Sequence, residues 1–179
     1  MQYRRAKIKG GTYFFTLNLA DRRETLLIDY IDDLRESLNV VKQRHPFKLD
    51  AMVVLPDHLH AMITLPNNDD QYAMRWMLIK QRFSRQIPNI ERTNKSRQLR
   101  GERGIWQRRY WEHVIRDQDD YQQHVHYIHY NPVKHGYVEN AVDWEFSTLH
   151  RYIQKGIIHP DWGNVKEDSL HNKDYGERK

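Results

Sequence analysis

The 179-residue chain has no cysteine, which excludes a disulfide framework and a thiolate zinc site. No apolar run approaches the length of a membrane span, and Met1-Gln2-Tyr3-Arg4-Arg5 precedes no apolar segment of the kind a signal peptide needs. A reducing cytoplasm is the expected location. The eight glycines form no phosphate-cradling loop, and neither an internal repeat nor a Ser/His/Asp constellation is present. The length suits a single domain, expected over residues 1–140, with a tail over 141–179.

Acidic residues are scarce in one stretch. The chain carries +5 overall, but residues 75–109 hold eleven Lys and Arg against Glu91 and Glu102, a local +9. The remainder is net acidic. Such asymmetry fits a polyanion-binding surface, because each neutralised phosphate releases condensed counterions. Arg82, Arg85, Arg97, Arg100, Arg103, Arg108 and Arg109 are the candidate contacts there, joined by Arg4, Arg5, Lys7 and Lys9 at the N-terminus. Trp76, Phe83, Trp106 and Tyr110 are interleaved and could stack on bases. A solvated basic loop is the alternative.

The most informative stretch is Val53 to Leu65. Read as a strand, it turns Leu59, Ala61, Ile63 and Leu65 to one side and His58, His60, Met62 and Thr64 to the other. The apolar side packs on a core. The histidines stand side by side, their Cα atoms roughly 6.5–7 Å apart, close enough for both imidazoles to hold one divalent ion. Exposed strand histidines with no ligand show the same spacing.

Around this strand the chain reads β-α-β-β-α-loop-β-α. Thr12 to Leu19 is rich in aromatic and β-branched residues, as a strand is. Ile31, Leu34, Leu38 and Val41 mark a helix over 28–44, closed by Pro46. Phe47 to Leu55 is a second strand, joined by Pro56-Asp57 to the histidine strand. A helix after Asn67-Asn68-Asp69-Asp70 runs to about Gln86, with Tyr72, Trp76, Ile79, Phe83 and Ile87 on its apolar face. Residues 88–104 lack periodicity and predict a mobile basic loop. Trp111 to Ile115 is a fourth strand. Asp117 starts a last helix, which Pro132 limits. The order predicts an α+β, ferredoxin-like split β-α-β fold with a central antiparallel sheet, an added C-terminal catalytic helix and an aromatic-anchored tail. Trp144, Phe146 and Trp162 are the anchors, and the last dozen residues are expected to be disordered.

At 100° per residue, Tyr121, Val125 and Ile128 define the buried face of the last helix. Tyr127, Asn131 and His124 flank that face, and Tyr130 points away from it. Two imidazoles, an amide and a phenol would then share one pocket. Metal-assisted phosphodiester transesterification uses such a set: a cation polarises the phosphate and a tyrosine oxygen attacks it. Mg²⁺ or Mn²⁺ suits these donors, histidine leaning toward Mn²⁺. Spacing alone also allows Tyr127 to be a helix-surface aromatic and Asn131 a helix cap.

Three motifs go further. His58-Leu59-His60, Ile105-Trp106-Gln107-Arg108-Arg109-Tyr110-Trp111-Glu112-His113-Val114-Ile115-Arg116-Asp117 and Tyr127-Ile128-His129-Tyr130-Asn131-Pro132-Val133-Lys134-His135-Gly136 closely resemble the HUH single-tyrosine transposases, nearest the REP-associated tyrosine transposases. The resemblance implies a nuclease and strand transferase acting on single-stranded DNA with REP-type hairpins, through a 5′-phosphotyrosine intermediate. It implies Tyr127 as nucleophile, His58 and His60 as metal ligands, and Asn131 at the third ligand position, where insertion-sequence relatives usually have glutamine. It also implies a monomer, in contrast to the helix-swapped dimers of those relatives, and association with the nucleoid when DNA is bound. Two other readings remain: a non-catalytic module for single-stranded DNA or RNA hairpins, and a histidine-ligated zinc hydrolase lacking a clear third ligand and base.

Overall fold

The computed structural model describes residues 7–89, 95–163 and 175–177. Its core is a four-stranded antiparallel sheet in the order β2-β3-β1-β4. Strand β1 spans Thr12–Asn18, β2 Lys48–Val54, β3 His58–Thr64 and β4 Trp111–Val114. The expected α+β class and central antiparallel sheet hold, and the histidine strand lies inside the sheet.

Both faces of the sheet are covered. Helices α2 (Ile31–Arg44) and α3 (Tyr72–Gln86) lie on one face, over Tyr13, Phe15 and Leu17 of β1 and Leu59, Ala61 and Ile63 of β3. On the other face, helix α5 (Gln118–Lys134) packs Val125, Tyr127 and Ile128 against Phe14, Ala51, Val53 and Met62. Alternation along β1 and β3 thus feeds two cores, and the histidine face is dry.

Several expectations are corrected in detail. The first helical stretch is two helices, α1 (Leu26–Asp29) and α2, broken at Tyr30, where φ −117° and ψ 40° leave the helical region. Helix α5 is capped by Asp117, which accepts from the Asp120 amide, and it continues through Pro132 to Lys134. Part of the expected mobile loop lies outside the described residues. The rest is ordered: Lys95–Gln98 form a short helix α4, and Arg103 donates to the carbonyls of Ser84, Ile87 and Pro88. Trp76, Phe83 and Trp106 are core residues, 1%, 0% and 7% exposed, so they offer no surface for bases. Trp76 and Phe83 face the sheet because the apolar stripe of α3 does, and Trp106 is held by an antiparallel bridge to Leu19.

Tyr130 is buried, not outward-facing. The chain beyond α5 covers the outer side of that helix, placing Gly163 and Trp162 against the Tyr130 ring. The same segment closes the edge of β2. Val54 N–H donates to Phe146 O, Thr148 N–H to Met52 O, and the Trp144 indole to Val54 O. Trp144 and Phe146 are therefore anchors, as expected, and they also protect an edge strand from pairing elsewhere.

Arg75, counted in the basic stretch, is a structural residue. It is 2% exposed and donates to both carboxylate oxygens of Asp69 (2.6 and 3.1 Å) and to the carbonyls of His45 and Pro46 (3.1 and 2.8 Å). Asp69→Ala should leave this guanidinium buried without its counter-charge. A loss of roughly 2–3 kcal/mol in urea unfolding is expected, less than for a fully buried pair because Asp69 is partly open. A change below about 0.5 kcal/mol, the usual surface range, would assign Arg75 no such role.

Candidate functional site

The site begins with strand register. β1 and β3 pair so that Thr16 lies opposite His60 and Asn18 opposite His58. Both imidazoles are buried, with ring centroids 5.0 Å apart. Each is oriented through Nδ1. His58 Nδ1 is 2.7 Å from Asp57 Oδ1, and Arg22 binds the other oxygen of that carboxylate and Asn18 Oδ1. His60 Nδ1 is 2.9 Å from Thr16 Oγ1. The Thr16 hydroxyl donates its proton to Tyr175 O, so it must accept one from His60. Both rings carry their proton on Nδ1 and turn an Nε2 lone pair into the site. Burial lowers His58 to about 4, against the raising effect of Asp57, so the ring is neutral near pH 7. Burial opposes ionisation of Asp57 as well, but the bonds from His58 and Arg22 outweigh it and hold the carboxyl at about 2.

Helix α5 brings Tyr127 and Asn131 to these histidines, as the helical projection anticipates. They are 1% and 0% exposed, and the Tyr127 ring centroid is 5.3 Å from that of His60. His124, on the same flank, is also buried but turns toward β4, stacking on His113 at 4.7 Å with both rings beside Asp120. Lys134, two turns beyond Tyr127, donates to its phenol oxygen at 3.0 Å.

Most of the last dozen residues, expected to be disordered, lie outside the described residues, but Tyr175, Gly176 and Glu177 are placed and complete the cluster. Glu177 Oε1 accepts from the Tyr127 hydroxyl and from Asn131 Nδ2 at 2.9 Å, and lies 3.1 Å from His60 Nε2. Its Oε2 accepts from Lys134 Nζ at 2.8 Å and is 3.1 Å from His135 Nε2. Burial pushes the carboxyl up to about 7. The seated Glu177 thus engages the Tyr127 hydroxyl directly.

The donor set fits a divalent cation. His58 Nε2 and Asn131 Oδ1 are buried acceptors with no hydrogen-bond partner among the described residues. His58, His60 and Glu177 offer ligand atoms within 4.8 Å of one another. Nitrogen and oxygen donors without thiolate suit Mn²⁺ or Mg²⁺.

Sequence reading missed Thr16, Asn18, Asp57, Lys134 and Glu177. Four left a signal: Thr16 and Asn18 share the Phe14 face of β1, Asp57 adjoins His58, and Lys134 is seven residues beyond Tyr127 on one helix. Glu177 left none, because no periodicity links it to the site.

The basic candidates divide. Lys7, Lys9, Arg85, Arg100, Arg108 and Arg109 are exposed. Arg82 pairs with Glu36 and Arg108 with Glu102, Arg97 donates to Trp106 O, and Arg103 is held by three carbonyls. Arg4 and Arg5 lie outside the described residues. Arg85, Arg97, Arg103 and Arg108 line a cleft of about 660 Å³ between α3 and residues 97–110.

Comparison with known proteins identifies the family. The family model described as "Transposase IS200 like" matches residues 8–131. The REP-associated tyrosine transposase of Escherichia coli is 45% identical over 94% of each chain. A Haemophilus influenzae protein provisionally assigned to the same group is 49% identical, covering 90% of this chain and 92% of that one. A solved REP-associated tyrosine transposase bound to a REP hairpin superposes with a TM-score of 0.84 at 42% identity, over 100% of this chain and 98% of the other. With a tyrosine, two histidines and an amide gathered on one dry sheet face, the chain belongs to the IS200-like transposases and, among them, to the REP-associated tyrosine transposases, enzymes of DNA cleavage and strand transfer.

Proposed function

We propose that the protein binds single-stranded DNA bearing REP-type hairpins and cuts it through Tyr127. The observation that carries this reading is the placement of the Tyr127 oxygen: buried, beside His60, and hydrogen-bonded by the Lys134 ammonium. A nearby cation favours the phenolate, so Lys134 prepares the oxygen for attack. The Tyr127 oxygen forms a bond to phosphorus as the bond to the 3′ oxygen breaks. The phenol proton is lost, and the leaving oxygen takes up a proton to become a free 3′-OH. His58, His60 and Asn131 would hold a Mn²⁺ or Mg²⁺ ion. When bound, it supplies Lewis-acid stabilisation of charge on the phosphate oxygens. Asp57 and Thr16 keep both Nε2 atoms available as ligands.

The likeness to a relative solved with a REP hairpin supports hairpins as substrate. Because α5 packs on the sheet of its own chain, one chain assembles all these groups, and we propose that a monomer suffices. A zinc hydrolase would use an open metal position for a water and would need a general base, whereas the phenol of Tyr127 beside His60 favours attack by the tyrosine itself.

Tyr127→Phe should abolish strand cleavage and the covalent DNA adduct while leaving hairpin affinity nearly unchanged, at a stability cost of about 1 kcal/mol for the lost phenol hydrogen bonds. Tyr130→Phe should remain active, since its ring packs under the chain following α5. An adduct formed by the Tyr127→Phe protein would place the nucleophile elsewhere. If even the parent protein forms no adduct with Mn²⁺, the chain is a binding module only.

His58→Ala and His60→Ala should also stop cleavage, with partial recovery at raised Mn²⁺ concentration. Titrated cleavage assays should show no such recovery for Tyr127→Phe. Recovery in both classes, or in neither, would count against separate roles.

Joint replacement of Arg85, Arg100 and Arg109 by alanine should flatten the log–log salt dependence of binding by about 2 units, since each single-strand phosphate contact contributes about 0.7. An unchanged slope would make this run a solvated face.

A further inference from the structure

The segment Tyr175-Gly176-Glu177 does more than put a carboxylate beside Tyr127. The Tyr175 ring fills a recess walled by four aromatic groups. Its centroid lies 4.6 Å from the Tyr127 ring, 4.7 Å from His124, 5.6 Å from Trp111 and 5.7 Å from Phe14. Two polar groups of β1 hold the tail backbone: Thr16 Oγ1 donates to Tyr175 O at 2.5 Å and Asn18 Nδ2 to Gly176 O at 3.3 Å. Gly176 fits because it has no side chain. A Cβ there would overlap Trp111 Cβ, and its φ of +83° is itself one that other residues rarely adopt.

The Tyr175 ring and the Glu177 carboxylate, two residues apart and both set against Tyr127, have the layout of one nucleotide: a base and its phosphate. We infer that the recess of Phe14, Trp111, His124 and Tyr127 is a nucleobase subsite. It receives the base of the nucleotide adjoining the scissile phosphate, and Tyr175 stands in for that base. The inference rests on the proposed reaction at Tyr127 and adds to it the seat of a particular nucleotide. Aromatic walls take any base by its π-face, so the subsite fixes position more than sequence. Thr16 and Asn18 would donate to oxygens of the nucleotide where they now hold the tail carbonyls.

The test uses hairpin strands with 2-aminopurine placed singly at each position of the single-stranded flank, titrated with the full-length parent and with Gly176→Val. In Gly176→Val the tail cannot seat, and no wall of the recess is altered. Emission at one position, next to the cleaved phosphate, should be quenched more strongly by Gly176→Val than by the parent. Removing the base at that position should weaken binding of the strand to Gly176→Val about tenfold, the effect of one stacked base. Adding Trp111→Ala should relieve the quench, and Trp111→Phe should retain most of it. Equal quenching by parent and Gly176→Val at every position, or an abasic series with no weak member, would overturn the subsite. Adduct formation indifferent to removal of the base at every flank position would also overturn it while leaving the reaction at Tyr127 intact. Absence of any adduct with a normal quench pattern would instead count against the reaction and leave the subsite standing.

Discussion

The pairing register of β1 and β3 is the constraint on which the site depends. With Thr16 opposite His60 and Asn18 opposite His58, every second residue of both strands faces α5 and the others face α2 and α3. A slip of one residue would bury the histidines beneath the helical layer and turn Leu59 and Ala61 toward the tyrosine. Both faces are apolar around the site, so the penalty for such a slip falls on two cores at once. That doubled penalty lets a sheet hold two imidazoles, a phenol and an amide in fixed relation.

The fold was readable because its signals are local and periodic. Period two along Leu59, Ala61, Ile63 and Leu65 marked β3, and helical spacing of Leu34, Leu38 and Val41 marked α2. The same arithmetic placed Tyr127 and Asn131 together on the rim of α5. Where projection failed, at Tyr130, the cause was non-local. A helical wheel knows one packed side, and the chain after residue 140 supplies a second.

The basic stretch illustrates a similar limit. Composition counts charges but cannot distinguish an arginine that meets solvent from one that meets carbonyl oxygens. Arg75 and Arg103 carry the same charge as Arg85 and Arg109 yet serve as internal staples, because carbonyls left open at Pro46, Ile87 and Pro88 need donors. Trp76 and Phe83 were similarly ambiguous until the face of α3 that carries them met the sheet. Glu177 was the least legible. Its partners come from β3 and α5, and only the three-dimensional path of the chain brings it to them.

That path has a kinetic meaning. Eleven residues separate Gly163, packed on Tyr130, from Tyr175 in the aromatic recess. A ligand carried on the same chain as its site acts at an effective concentration on the order of millimolar, whatever the protein concentration. A DNA strand must therefore compete with a resident whose local abundance dilution cannot reduce. Hairpin contacts elsewhere on the surface would meet this demand by tethering the strand in turn, converting its single-stranded flank into an intramolecular competitor. Free single strands without a hairpin would face the tail unaided.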